Sequence, residues 1–217
     1  MDGVLIDSQD LHYLGDQMTL QAHGIQVPLK DLEQYAGTTN DMRFRLYMEK
    51  YGLTGGLHEL IAEREETMLR LIRESDRKPI KGIPQLLDSI EKAGLRRAVA
   101  SSSSYNFVYA VLDKIGLRDC FELVLSGEDF ARSKPYPDVF LESAARLGLS
   151  HDSCAVIEDS GSGALAAKRA GMSCMGYINP TSGKQDLGCA DLLTDDFSRV
   201  DAQTLINMTN SILYENI

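Results

Sequence analysis

Chemically able residues stand where short apolar runs give out. Asp2 and Gly3 lie in the opening MDGVLIDS, Ser101 and Ser102 directly follow Ala98-Val99-Ala100, Lys134 sits in ARSKPYPDVF, and Glu158-Asp159 follow Cys154-Ala155-Val156-Ile157. The carboxylates of Asp2, Glu158 and Asp159 are hard oxygen ligands of the kind Mg²⁺ prefers, together with water, in octahedral geometry. An acidic pair at the end of a buried strand is costly without a cation. A serine hydroxyl and a lysine ammonium hold the oxygens of a phosphoryl group, and metal and lysine offset its charge as those oxygens rearrange. These residue types together point to Mg²⁺-assisted phosphoryl transfer.

The elements that must position these groups are legible in the spacing. From Gln9 to Arg77 the apolar residues recur at helical intervals, as in Leu11, Leu14, Met18 and Ala22, and again in Leu57, Leu60, Ile61, Met68, Leu71 and Ile72. Gly24 and the run Gly52-Leu53-Thr54-Gly55-Gly56 punctuate that stretch. From Lys78 onward short apolar strands (97–100, 121–125, 154–157, 174–177, 191–193) alternate with helices (83–92, 106–115, 138–147, 164–170, 202–213). Such alternation predicts an α/β fold, a Rossmann-like three-layer core with a parallel sheet covered on both faces. Ligands in such sheets bind beyond the carboxyl ends of the strands, where the residues above fall. The domain reading is an α/β core of residues 1–8 and 78–217 carrying an all-helical insert at 9–77.

Composition narrows the class. The 217 residues carry 22 Lys+Arg against 32 Asp+Glu, a formal charge of -10, which disfavours nucleic acid as a partner. No apolar run reaches the roughly 18 residues of a membrane span, and no signal peptide precedes the first charged residue. Cys120, Cys154, Cys174 and Cys189 form no CxxC and read as reduced thiols of a cytoplasmic protein. The expected partner is a small phosphorylated metabolite, bound by a monomer or weak dimer.

Four segments, MDGVLIDS, AVASSSS, ARSKPYPDVF and VIEDSGSGALAAKRAGM, resemble in order the signature motifs of the haloacid dehalogenase superfamily. The helical insert resembles the cap of its β-phosphoglucomutase-like and sugar-phosphate phosphatase branch. The resemblance implies that Asp2 is the general acid/base and ligates Mg²⁺ through its main-chain carbonyl. It implies that Ser101 and Lys134 bind phosphoryl oxygens, and that Asp159 is the principal metal ligand, with Glu158 beside it or acting through water. Gly3 lets the backbone pass close to the phosphate, and amides near Gly3 and Ser102 donate to it. In the cap, His12 either faces the general acid, as the resemblance implies, or is an ordinary polar helix residue near the hinge. Asn40, Arg43, Arg45 and Arg64 are candidate contacts for the far end of the substrate; taken singly, Arg43, Arg45 and Arg64 each read as solvated helix arginines. Cap opening about the segments at Asp7-Ser8 and Arg77-Lys78 is expected to gate access.

One departure stands out. The superfamily's nucleophile is an aspartate two residues before the general acid, which falls immediately before Met1. The strand leading to it is expected to bury about four or five apolar side chains at roughly 1.5–3 kcal/mol each, against a typical domain stability of about 5–15 kcal/mol. The expectation is therefore a short apolar strand ending in Asp ahead of Met1, the start having been assigned at an internal methionine. The competing reading is a noncatalytic binding or regulatory protein. Mutase and phosphatase share the core motifs and differ in the cap, where Gly37-Thr38-Thr39-Asn40 puts a neutral asparagine where the mutases have a phosphate-gripping arginine. Asparagine lacks the charge-assisted fork that arginine offers a phosphate, so phosphatase is the preferred reading and phosphosugar mutase the alternative. A dehalogenase is disfavoured by the metal-suited Glu158-Asp159 pair. Asp7 reads as a helix N-cap or hinge residue, and Pro135 is expected to be cis.

Overall fold

The computed structural model describes residues 1–35 and 39–215. The chain forms two compact units, residues Met1–Asp7 with Lys78–Ile217, and residues Ser8–Arg77. Ser8, grouped above with the core, goes with the helices.

The second unit is built from α1 (Gln9–Ala22), a short α2 (Leu29–Leu32), α3 (Asn40–Tyr51) and α4 (Leu57–Glu74). The short helix after Pro28 has too few residues to leave a periodic signature. Leu60, Arg64, Met68 and Ile72 form the buried stripe of α4 at spacings of four. Phe44, Tyr47, Leu20 and Leu60 centre the unit's core, and the Tyr35 and Tyr47 rings meet edge-on at 5.1 Å.

In the first unit, α5 (Ile83–Lys92) buries Ile83, Leu86, Leu87 and Ile90, one face at helical spacing. β1 (Ala98–Ser101), α6 (Tyr105–Lys114), β2 (Leu123–Ser126), α7 (Asp138–Arg146), β3 (Ala155–Glu158), α8 (Gly161–Arg169), β4 (Ser173–Tyr177), β5 (Leu192–Thr194) and α9 (Ala202–Glu215) follow. The named strands pair in parallel, with Ser101 opposite Ser126 and Glu158 opposite Gly176. β4 is buried along its whole length, as a strand covered on both faces must be.

The strands form two sheets instead of the expected single one, β1-β2 and β3-β4-β5. Among the described residues, β1 and β3 each pair with one neighbour only. The apolar runs that predict the strands carry no information on which edges meet. Of the two readings of Asp7, the N-cap does not hold: Ser8 takes that position at α1, and the Asp7 carboxylate accepts a 2.7 Å hydrogen bond from Thr181 Oγ1, while Asp7 does stand at the boundary of the two units in the chain. No helix among the described residues is long and apolar enough to cross a membrane.

Candidate active site

The site assembles from loops at the carboxyl ends of β1 and β3. β1 ends in the buried Ser101, whose hydroxyl accepts from the Ser103 amide at 3.1 Å. Ser102 is exposed. Ser104 then caps α6, accepting from Phe107 N, which fixes the sharp exit of the serine run from the strand.

Lys134 reaches in from the loop before α7, with the Lys134–Pro135 peptide bond cis as expected. Its Nζ donates to the Ala100 carbonyl at 3.2 Å, lies 4.7 Å from the Phe140 ring centroid and pairs with Glu158 Oε1. Both side chains are about nine-tenths buried (9% and 10% exposed), so each charge depends on the other. Ser160 completes the arrangement: its hydroxyl donates to Glu158 Oε2 at 2.9 Å and accepts from Gly163 N at the start of α8. A Cβ at Gly163 would lie 2.1 Å from the Glu158 carboxyl carbon, so only glycine lets α8 begin against that side chain. Burial pushes the Glu158 carboxyl up, but Lys134, the Met1 amino group and Ser160 outweigh it and leave it below the usual range.

Asp2 sits in a tight turn in which the Val4 and Leu5 amides donate to the Met1 carbonyl and the Gly3 amide to that of Ile6. Its Oδ2 accepts from Ser103 Oγ at 2.9 Å. Gly3 has φ +68°, and a Cβ there would lie 1.9 Å from Asp159 Oδ2. Both the turn and the close approach thus require glycine. The Gly3 carbonyl accepts from Asn179 Nδ2 at 2.9 Å, and Ser182 Oγ donates to Asp159 Oδ2. Burial and the neighbouring Glu158 push the Asp159 carboxyl up to about 6, with Asp2 adding to the rise and Ser182 opposing it.

The contacts close a ring: Lys134 to Glu158, Asp159 to Gly3, Asp2 to Ser103, Ser103 to Ser101, and Ala100 back to Lys134. Ser103, Asn179 and Ser182 join the site without having been singled out from the sequence. Their partners lie 101, 176 and 23 residues away, beyond any local signal.

The helical unit has its own polar centre. Asp16, 1% exposed, pairs through Oδ2 with Arg43 Nε at 2.9 Å and through Oδ1 with Arg64 Nε at 2.6 Å, and Tyr47 donates to Oδ2 at 2.8 Å. Arg43 Nε is off the hydrogen-bond axis, so that pair is held by charge more than by a directed bond. Arg43 and Arg64 are therefore buried, contrary to their reading as solvated helix arginines, because Asp16 on α1 supplies the counter-charge. Arg45, on the exposed side of α3, does pair in solvent with Asp41. Arg43 also donates to Asn40 Oδ1 at 2.5 Å. His12 Nδ1 lies 2.9 Å from Arg64 Nη2; a guanidinium cannot accept, so this nitrogen is the acceptor. Gly37 and Thr38 of the cap loop lie outside the described residues.

Mg²⁺ commonly binds through one or two carboxylates, keeping its remaining positions for water and substrate phosphate. No group of three His, Cys, Asp or Glu side chains among the described residues is arranged to hold an ion. With Glu158 committed to Lys134, Asp2 and Asp159 are the hard-oxygen pair that suits such a cation. Burial first, and then the neighbouring negative charge, raise Asp159, and a cation there would offset both.

The chain is similar to known proteins over most of its length. The sequence pattern of the family described as haloacid dehalogenase-like hydrolase matches residues 1–177. The chain is 31% identical over 211 residues to the protein YhcW of Bacillus subtilis, covering 97% of this chain and 95% of that one. It is 30% identical over 173 residues to hexitol phosphatase B of Escherichia coli, covering 79% and 78%. The crystal structure of CbbY from Rhodobacter sphaeroides in complex with phosphate superposes with a TM-score of 0.86 at 24% identity over 94% of this chain and 96% of that one. A β-phosphoglucomutase from Clostridium difficile gives 0.82 at 24% identity, over 98% and 96%. The chain belongs to the haloacid dehalogenase-like hydrolases, in a branch whose relatives include named phosphatases.

Proposed function

We propose that the protein is a Mg²⁺-dependent phosphatase of small phosphomonoesters, sugar phosphates in particular, acting through an aspartyl phosphate. The observation that carries this reading is the closed ring at the strand ends, in which a buried ammonium stands with a hydroxyl loop, a turn-held carboxylate and a buried acid. Lys134 would bind phosphoryl oxygens while Glu158 keeps it in place, and the Ser101 hydroxyl and the amide of exposed Ser102 would complete the anion cradle. Asp2, oriented by Ser103, would protonate the leaving oxygen and then take the proton of the attacking water. On this reading the nucleophilic aspartate would fall directly before Met1. Asp2 and Asp159 would hold Mg²⁺, which supplies charge neutralisation at the phosphoryl group when bound.

Phosphatase is favoured over phosphosugar mutase because Asn40 is neutral and its carbonyl is occupied by Arg43. Relatives named for hexitol and fructose-1-phosphate hydrolysis support the same choice. The test uses protein extended by an apolar strand ending in Asp, incubated with Mg²⁺ and a panel of sugar phosphates. Free phosphate released by this protein, and lost in Asp2→Asn, is the expected result. Rapid conversion of β-glucose 1-phosphate to glucose 6-phosphate with a bisphosphate primer, releasing little free phosphate, would reverse the choice.

A further inference from the structure

The segment that follows β4 returns to the site and is tied down at both ends. Just after the strand, the Ile178 amide donates to the Thr194 carbonyl at 2.8 Å, and the chain then turns so that the Ser182 amide donates to the Asn179 carbonyl at 3.3 Å. Beyond the turn, Gln185 Nε2 donates to the Ser182 carbonyl at 2.9 Å, while its Oε1 accepts from Gly161 N at the start of α8 at 3.2 Å. A Cβ at Gly161 would lie 2.7 Å from the Asp186 carbonyl oxygen, so the segment and α8 approach closely. Asn179 and Ser182 are buried, at 7% and 6% exposed. Buried polar side chains are costly unless bonded, and these two bond to different parts of the site. The Thr181 amide can only donate, so the Asn179 atom 2.9 Å from it is the carbonyl oxygen; its amide nitrogen then faces the Gly3 carbonyl, which can only accept. Ser182 Oγ donates to Asp159 Oδ2, the oxygen seated against Gly3. Between them, Thr181 Oγ1 donates to Asp7, the last residue before the helical unit in the chain.

We propose that Asn179 and Ser182 are positioning residues of the site: one short strap holds the turn that carries Asp2 and, a few residues on, the Asp159 carboxylate, and so fixes the spacing of the two groups assigned to the cation. Asn179 acts on the backbone. Gly3, at φ +68°, is the most permissive residue of its turn, and a bond to its carbonyl removes the freedom that glycine brings. Ser182 acts on a side chain, holding one carboxylate oxygen so that Asp159 does not have to be ordered when a ligand arrives. Because Ser182 and Asn179 belong to one turn, a shift of either moves the other, which couples the two carboxylates through the strap. The consequence for a cation rests on the phosphatase reading; the positioning of the turn and of Asp159 does not.

The test uses the 217-residue chain, with Mn²⁺ as the probe ion followed by electron paramagnetic resonance, and exchange of the Gly3, Val4 and Leu5 amides as a readout without metal. Native protein is compared with Ser182→Ala and with Asn179→Asp, which still accepts from the Thr181 amide but turns an oxygen on the Gly3 carbonyl. Each variant is expected to raise the Mn²⁺ dissociation constant about 10–100-fold, the loss typical when an outer partner of a metal ligand is removed. Asn179→Asp is also expected to speed exchange of the three turn amides about fivefold or more with no metal present, the loosening that one lost hydrogen bond brings. Ser89→Ala, which takes away the acceptor of Ala202 N at the start of α9, lowers stability away from the site and should keep native Mn²⁺ affinity. Unchanged turn exchange in Asn179→Asp would overturn the proposal, and so would undiminished Mn²⁺ binding in both variants. An equal loss of affinity in Ser89→Ala would overturn it too, since the effect would then be one of stability alone. Native protein that binds no Mn²⁺, with the turn still loosened by Asn179→Asp, would leave the strap standing and count against the cation of the phosphatase reading alone.

Discussion

Asp16→Asn isolates the charge of one buried carboxylate while keeping its shape and an acceptor for Tyr47. In the native unit the Asp16 side chain is 2% exposed and stands between two guanidiniums, Arg43 at 10% and Arg64 at 6%. Burial already draws the Arg43 guanidinium below its usual value, and Asp16 is the foremost group opposing that. Neutralising Asp16 leaves two cations close together with no counter-charge from it. Breaking a buried pair from one side costs about 3–5 kcal/mol. For a chain of this size that is about 6–20 °C in the midpoint. Circular dichroism melting gives the total, and amide exchange should localise the loss to α1, α3 and α4. A second variant separates charge from packing: Asp16→Leu with Arg43→Met, Arg64→Met and Tyr47→Phe replaces Asp16 and its three partners by apolar groups and should regain most of the loss. A drop below about 1 kcal/mol for Asp16→Asn, or a quadruple variant no better than the single one, would refute the reasoning.

Asp2→Asn in the strand-extended enzyme should lower kcat about 10²–10⁴-fold while leaving the melting temperature nearly unchanged, since the amide oxygen still accepts from Ser103; steady-state hydrolysis alongside thermal melting checks both. Gly3→Ala must place a Cβ at φ +68° against Asp159, and chemical denaturation should register a loss of at least about 1–2 kcal/mol from the backbone alone. Lys134→Met leaves Glu158 buried without its ammonium and should cost about 3–5 kcal/mol near neutral pH in the presence of a chelator. The native pair holds Glu158 below the usual carboxylate range, so its contribution is present above the unfolded-state pKa and fades as pH falls through the folded-state value. The two proteins should therefore converge in acid, and a deficit that grows on acidification would contradict the assignment.

The sequence by itself determined the local elements and the side chains at their ends. The four-residue spacing of Leu60, Arg64, Met68 and Ile72, the apolar run of residues 98–100 and the acidic pair after Ile157 are short-range properties, written into neighbouring residues. Ser101, Glu158 and Asp159 were legible because each sits at such an end, Asp2 and Lys134 because of the motifs MDGVLIDS and ARSKPYPDVF around them. Tertiary structure alone decided which of them touch. Ser103 meets Asp2 across 101 residues, Ser182 meets Asp159 across 23, and Arg64 meets Asp16 across 48. The division into two sheets belongs to the same level. Helical and strand periods record which face of an element is apolar, whereas counter-charges, hydrogen-bond partners and strand pairing depend on what the fold brings opposite that face.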